Sequence, residues 1–232
     1  MHFHLPKPLH GWRAFAGEVG IIVVGVLIAL GFGQVVQSIH DRSVANQARD
    51  AIRAEVQENL WWLEFRGGYE PCIEGMLSEL GSVLARAREG EPTPLITTVH
   101  FPVYAKITSL RWNANAEAGR TSLFSGNEQR LLGNMYFTTE DFRASQDQEE
   151  AVWARMGFVE GLSHFTPADV HDLSVLLAEA RYRNRRARLT IERGNQWASK
   201  LHLVPANPNS VENYRLSAKR LCPPLSATGQ PQ

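Results

Sequence analysis

The stretch LLGNMYFTTEDFRASQDQEEAVWARMGFV, from Leu131 to Val159, carries Leu131, Met135, Thr138, Phe142, Ser145, Glu149, Val152, Met156 and Val159 at steps alternating between four and three. A second stretch, VHDLSVLLAEARYRNRRARLTIERGNQWASKL, from Val170 to Leu201, repeats the rhythm. It places Val170, Leu173, Leu177, Ala180, Asn184, Ala187, Ile191, Gly194, Ala198 and Leu201 on one face. Such spacing marks a helix with a single apolar seam. Two seams joined by a short connection predict an antiparallel helical hairpin. Folding at the Gly161–Phe165 turn sets Val159 against Val170, Met156 against Leu173 and Ser145 against Asn184. Small Ala and Gly on the second helix then face large Met and Phe on the first.

Helix-start signals flank both stretches. Ser125-Gly-Asn-Glu128 has the form of a capping box, and Thr166-Pro-Ala-Asp169 supplies an N-cap, a proline at the first helical position and an acidic first turn. Upstream, no Pro or Gly occurs from Ile39 to Phe65, and Ala45, Ala48, Ile52, Val56, Leu60 and Leu63 recur at helical spacing. Gly67-Gly68 is expected to stop that helix. A second helix is expected from about Pro71 to Arg88, with Ile73, Met76, Leu77, Leu80 and Leu84 on one face. Glu89–Pro94 reads as a loop, Leu95–Tyr104 as an extended segment or a loop lying on the bundle, and Lys106–Gly119 as a short helix. A last helix is expected over about Ser210–Leu221, ended by Cys222-Pro-Pro224, with residues 223–232 as a disordered tail. The fold class is therefore all-α, with a helical soluble domain over residues 40–222.

In front of this domain stands a segment of another kind. From Val19 to Val36 only Gln34 is strongly polar and no residue is charged. A bilayer core takes roughly 20 apolar helical residues. We read 15–39 as a transmembrane helix that continues into the juxtamembrane helix, after a short tail over 1–14. A cleaved signal peptide is the competing reading. Its apolar region runs about 7–15 residues, shorter than this one, so a permanent anchor is preferred. Lys7 and Arg13 precede the span and Arg42, Arg49 and Arg53 follow it, a near-balanced count. A short tail, one helix and a long domain form the usual signal-anchor layout, which favours a periplasmic domain over a cytoplasmic one. Gly25, Ala29 and Gly33 make a small-residue stripe suited to close helix approach, hence to a homo-oligomer or to another membrane protein. Frequent glycine in membrane helices explains the stripe equally simply.

Net charge is +0, from 24 basic and 24 acidic residues, which gives no general pull toward nucleic acid. Arg181, Arg183, Arg185, Arg186, Arg188 and Arg193 form a local basic run. Arg181, Arg185 and Arg188 are its candidates for polyanion or lipid-headgroup contact. The plainer reading pairs the run with Glu140, Asp141, Asp147, Glu149 and Glu150 across the hairpin, and nucleic acid is not expected as a partner. Two readings stand for Cys72 and Cys222: a disulfide in an oxidising compartment, or two unrelated buried thiols. There is no Cys-x-x-Cys, His-Glu-x-x-His, P-loop, Gly-x-Ser-x-Gly or dinucleotide fingerprint. His2, His4 and His10 sit in a tail that makes a poor metal site, and His164 and His171 lack a nucleophile in context. No catalytic, metal or cofactor residue is assigned. An enzyme with a site between helices remains a lesser alternative to a membrane-tethered interaction or scaffold module, as does a cytoplasm-facing regulatory module.

The segment Phe15-Ala-Gly-Glu-Val-Gly-Ile-Ile-Val-Val-Gly-Val-Leu-Ile-Ala-Leu30 resembles the N-terminal anchor of a family of uncharacterised bacterial single-pass membrane proteins, in which a Phe-x-x-Glu precedes an Ile-Ile-Val-x-Gly-Val-Leu-Ile-Ala-Leu core. Trp112-Asn-Ala-Asn-Ala-Glu-Ala-Gly119 is similar to a helical segment of the same group. The family carries no established activity, so the resemblance implies a bacterial inner-membrane setting and transfers no functional residue.

Overall fold

The computed structural model describes residues 11–210 together with Asn213 and Leu225. The fold is all-α. Among the described residues five helices follow in order: α1 (Gly11–Gly68), α2 (Glu70–Arg88), α3 (Leu110–Glu117), α4 (Gly126–Met156) and α5 (Pro167–Lys200). Short 3-10 turns at Arg120–Leu123 and Gly157–Val159 follow α3 and α4. The chain divides into two compact units, one up to Ala48 and the other from Arg49 onward.

The first unit holds the apolar part of α1. Among the described residues one helix, near the N-terminus, is long and apolar enough to cross a membrane, and its most apolar 18-residue stretch is 0% buried. Exposed large side chains run from Ile21, Ile22 and Val23 through Leu27, Leu30 and Phe32 to Val36 and Ile39.

The second unit is a helical bundle. Within it the expected stripe of α1 is buried at Ile52, Val56, Leu60 and Leu63. Gly67-Gly68 interrupts the helix for one residue only. Tyr69 keeps right-handed helical angles (φ −83°, ψ −5°), and Pro71, which has no N–H to satisfy, sits in the first turn of α2. The end of α1 and all of α2 consequently act as successive parts of one antiparallel partner for α5. A methyl on Gly194 would meet Leu63 at 2.9 Å, and one on Gly67 would meet Ile191 at 3.8 Å. Glu70 lies 4.0 Å from Arg188, and Arg181 reaches the Leu77 carbonyl at 3.4 Å. As one residue number climbs the other falls, in step. α4 runs parallel to this pair: Arg49 bonds Glu128, Tyr136 bonds Glu55 and Arg66 bonds Glu149.

α4 and α5 form the expected hairpin, and their seams are buried: Met135, Phe142, Val152 and Met156 on α4, Leu173, Leu177, Ala180 and Ala187 on α5. Gly161 makes the turn with φ +74°, and its N–H donates to the Ile96 carbonyl at 2.9 Å. At Thr166 both halves of a capping box are formed with Asp169. At Ser125 only half is: its hydroxyl accepts from the Glu128 N–H, while the Glu128 carboxylate turns to Arg49 at 2.9 Å.

Two expectations need correction here. The third helix begins at Leu110, not Lys106, because the backbone of Ala105 and Thr108 is bonded to side-chain amides of other helices. Gln146 exchanges both hydrogen bonds with the backbone of Ala105 (2.6 and 3.0 Å), and Asn59 does the same for Thr108 (3.0 and 2.7 Å). Glu55, also buried, accepts from the N–H groups of Arg111 and Trp112, and so stands in for an N-cap on α3. The segment before them is a loop lying on the bundle, with Ile96 and Val99 in the core. The second correction concerns the tail. Residues 223–232 lie outside the described residues except Leu225, which is buried, donates to Glu79 and accepts from the Thr97 N–H. Its side chain completes the core cluster of α2, α4 and α5. The expected last helix lies outside the described residues apart from Ser210 and Asn213, as do His2, His4 and His10.

Candidate functional site

The arginine run of α5 splits between two faces, because successive residues on a helix point about 100° apart. Arg183 and Arg186 turn to α4. Arg186 pairs with Asp141 at 2.5 Å, and Arg183 bonds Gln148 and pairs with Glu179 at 3.3 Å. Arg181, Arg185 and Arg188, spaced four and three apart, turn to α2. There they line a cleft of about 310 Å³ with Glu70, Glu74, Leu77, Ser78 and Asn184. Sequence spacing thus finds the three cleft arginines. The plainer expectation of pairing across the hairpin holds for Asp141 but fails for Glu149, which faces the interior.

Gly81 decides how Arg181 sits. A methyl there would lie 2.7 Å from the Arg181 Nη2 atom, so the absent side chain leaves room for the guanidinium to cross α2 toward the Leu77 carbonyl. Arg188 lies 3.6 Å from Glu74 and 4.0 Å from Glu70, loose pairings with long separations. Arg185 is exposed and has no partner among the described residues.

Behind the cleft lies a buried polar line. The Arg66 side chain is 0% exposed and donates through Nη2 to Glu149 at 2.7 Å and to Asn184 at 3.4 Å. Its Nη1 atom is 3.7 Å from Glu70, and among the described residues neither Nε nor Nη1 has a hydrogen-bond partner. Asn184 in turn donates to Glu70 at 2.9 Å. Asn184 therefore serves α1 and α2 instead of facing Ser145 in a polar seam pair, as its heptad position suggests. Glu149 also lines a second cleft, of about 290 Å³, with Phe101–Tyr104, Gln146 and Glu150. The line from Glu70 through Arg66 to Glu149 joins the linings of the two clefts.

Burial pushes the Glu70 carboxyl above the usual range; Arg66 opposes this, Glu74 adds to it, and Asn184 and Arg188 oppose it more weakly. Burial likewise raises the Tyr136 phenol, with the hydrogen bond and charge of Glu55 adding to the effect. Tyr136 is thus a donor to Glu55, and Trp112 stacks on its ring at 5.0 Å.

The remaining sequence candidates do not join this site. Gly25, Ala29 and Gly33 are exposed on α1, and a methyl at either glycine would meet nothing within 4 Å. Cys72, on α2, packs partly buried against the core and is disulfide-bonded. The one other cysteine of the chain, Cys222, lies outside the described residues. Among the described residues no group of three or more His, Cys, Asp or Glu is arranged to hold a metal ion. Sequence reasoning does not single out Glu70, Glu74 or Arg66, and it gives Asn184 a seam role in place of this one. Their only local signal is the Glu70–Glu74 pair one helical turn apart, which reads equally as a solvated face.

No family model matches the chain, no curated protein matches it, and no solved structure matches it.

Proposed function

We propose that this chain is a membrane-anchored helical interaction or scaffold protein, held once in a bilayer by residues 15–39 with its bundle on the periplasmic side. The observation that carries the reading is the bare apolar surface of α1. Fully burying a Val, Leu or Ile side chain is worth roughly 1.5–3 kcal/mol, and here such side chains from Ile21 to Ile39 are exposed around the whole helix. A soluble protein rarely shows an apolar patch of more than a few hundred Å². A partner groove would cover one face, whereas a bilayer covers every face at once. The disulfide at Cys72 supports an oxidising compartment. The bacterial single-pass family that Phe15–Leu30 resembles fits the same setting.

The test is thiol labelling with a membrane-impermeant reagent, alongside alkaline carbonate extraction of membranes. Full-length protein that stays in the carbonate-washed pellet, and that is labelled in intact cells only after reduction, is the expected result. A shortened chain in the soluble fraction would mean a cleaved signal. Labelling only after permeabilisation, without reductant, would put the bundle in the cytoplasm and replace this reading with the regulatory one.

A further inference from the structure

We propose that the cleft between α2 and α5 binds a phosphoryl-bearing anion through Arg181, Arg185 and Arg188. The three guanidiniums share one face of α5 within two helical turns and open on the same 310 Å³ space, large enough for a phosphate group with a small bearer attached. Guanidinium forks match phosphate oxygens in pairs, which an ammonium does not. Arg185 has no partner among the described residues, and Arg188 is held only by contacts of 3.6 and 4.0 Å. Arg181 is placed by the space at Gly81.

The cleft is also positive in sum. Arg66, Arg181, Arg185 and Arg188 stand against Glu70, Glu74 and Glu149, and Arg66 keeps two nitrogen atoms unbonded just behind Glu70. Glu70 and Glu74 on the opposite wall are acceptors for hydroxyl or amine groups of the bearer. A bare inorganic ion would leave that wall unused, so the chemistry fitted best is a phosphate ester carrying such donors. A phospholipid headgroup and a free phosphate ester both have it. The inference concerns the bundle alone and stands whether or not α1 spans a bilayer.

The experiment uses the full chain in maltoside micelles, whose headgroup holds no phosphate. Binding of glycerol phosphate and of dioctanoyl phosphatidylglycerol, whose headgroup keeps two free hydroxyls, is measured by calorimetry for the native chain, Arg185→Glu and Arg88→Glu. Arg88 is exposed at the far end of α2, so its variant carries the same charge change away from the cleft. We expect saturable binding that Arg185→Glu weakens tenfold or more and that Arg88→Glu leaves within twofold. Tighter binding of the lipid would identify a headgroup as the source, and equal binding a free ester. Absence of binding to either probe up to about 20 mM overturns the proposal, as does equal weakening by the two variants. Far-UV circular dichroism of both variants shows that each is folded.

Discussion

Replacing Arg66 by methionine should destabilise the bundle far more than replacing Arg66 and Glu149 together. The Arg66 side chain is wholly buried, and the Glu149 side chain is 5% exposed at 2.7 Å from it. Removing one member of a buried pair leaves the other charge without compensation, at a cost of about 3–5 kcal/mol. Glu70 loses a neighbour as well, but it is partly exposed and keeps Asn184 and Arg188. For a domain of this size, that cost corresponds to a fall in Tm of roughly 6–20 °C. In the Arg66→Met, Glu149→Met double variant no charge is stranded. The two unbonded guanidinium nitrogens, each costing about 1–3 kcal/mol when buried without a partner, also disappear. The double variant should therefore lie within about 1 kcal/mol of the native chain or above it. The assay is urea and thermal unfolding of the full chain in maltoside micelles, followed by helical circular dichroism, with Glu149→Met completing the cycle. A single variant that costs under 1 kcal/mol, or a double variant as unstable as the single ones, would refute the reading of this pair as a desolvated charge couple.

Gln146→Leu strands the Ala105 N–H, while the Ala105 carbonyl keeps the Ile107 N–H at 3.0 Å, and should cost about 1–3 kcal/mol; hydrogen exchange at Ala105 should quicken while that at Thr108, held by Asn59, should hold. Gly81→Ala crowds the end of the flexible Arg181 side chain and touches Leu177 at an ordinary 3.8 Å, so helix propensity should raise stability by up to about 1 kcal/mol. The displaced guanidinium should at the same time weaken phosphate-ester binding in the calorimetric titration. Glu70→Gln tests the pH response. A carboxyl whose folded pKa is raised, here by burial first, contributes stability that is complete below its ordinary value of 4.5 and lost as pH rises through the folded value. The stability of Glu70→Gln relative to the native chain should thus climb with pH above about 4.5, and a flat or falling difference would contradict the assignment.

The long helices were legible because each presents one apolar seam to one partner, and seam spacing is a local property. Val152, Met156, Leu173 and Leu177 are in the core at the positions their spacing assigns. Thr166-Pro-Ala-Asp169 starts a helix for reasons contained in those four residues. Where local signals failed, a distant side chain had intervened. Nothing near Lys106 says that the helix must wait until Leu110. That delay is imposed by Asn59, on α1, and by Gln146, on α4, whose amides hold the backbone of Thr108 and Ala105 open. Gly67-Gly68 ends α1 as the weak helix propensity of glycine predicts; what the local signal does not carry is that α2 restarts at Glu70 and continues along α5.

Polar residues were harder still, since a charge in a helix reads as solvated unless its partner is known. Glu149 occupies a seam position, and the natural inference was pairing with the α5 arginines nearby. Its partner is Arg66, on a helix far away in sequence, and only the three-way packing of α1, α4 and α5 brings them within 2.7 Å. The same packing sorts the arginine run. Arg183 and Arg186 are consumed by Gln148, Glu179 and Asp141, whereas Arg181, Arg185 and Arg188 face an acidic wall too distant to neutralise them closely. A run of like charges in a sequence is therefore two different objects in the fold. One part is structural, fixing α4 against α5, and the other is left with capacity to hold something else. The split follows from helical geometry alone, but which half stays open depends on what α2 presents, and that is where sequence reading ends.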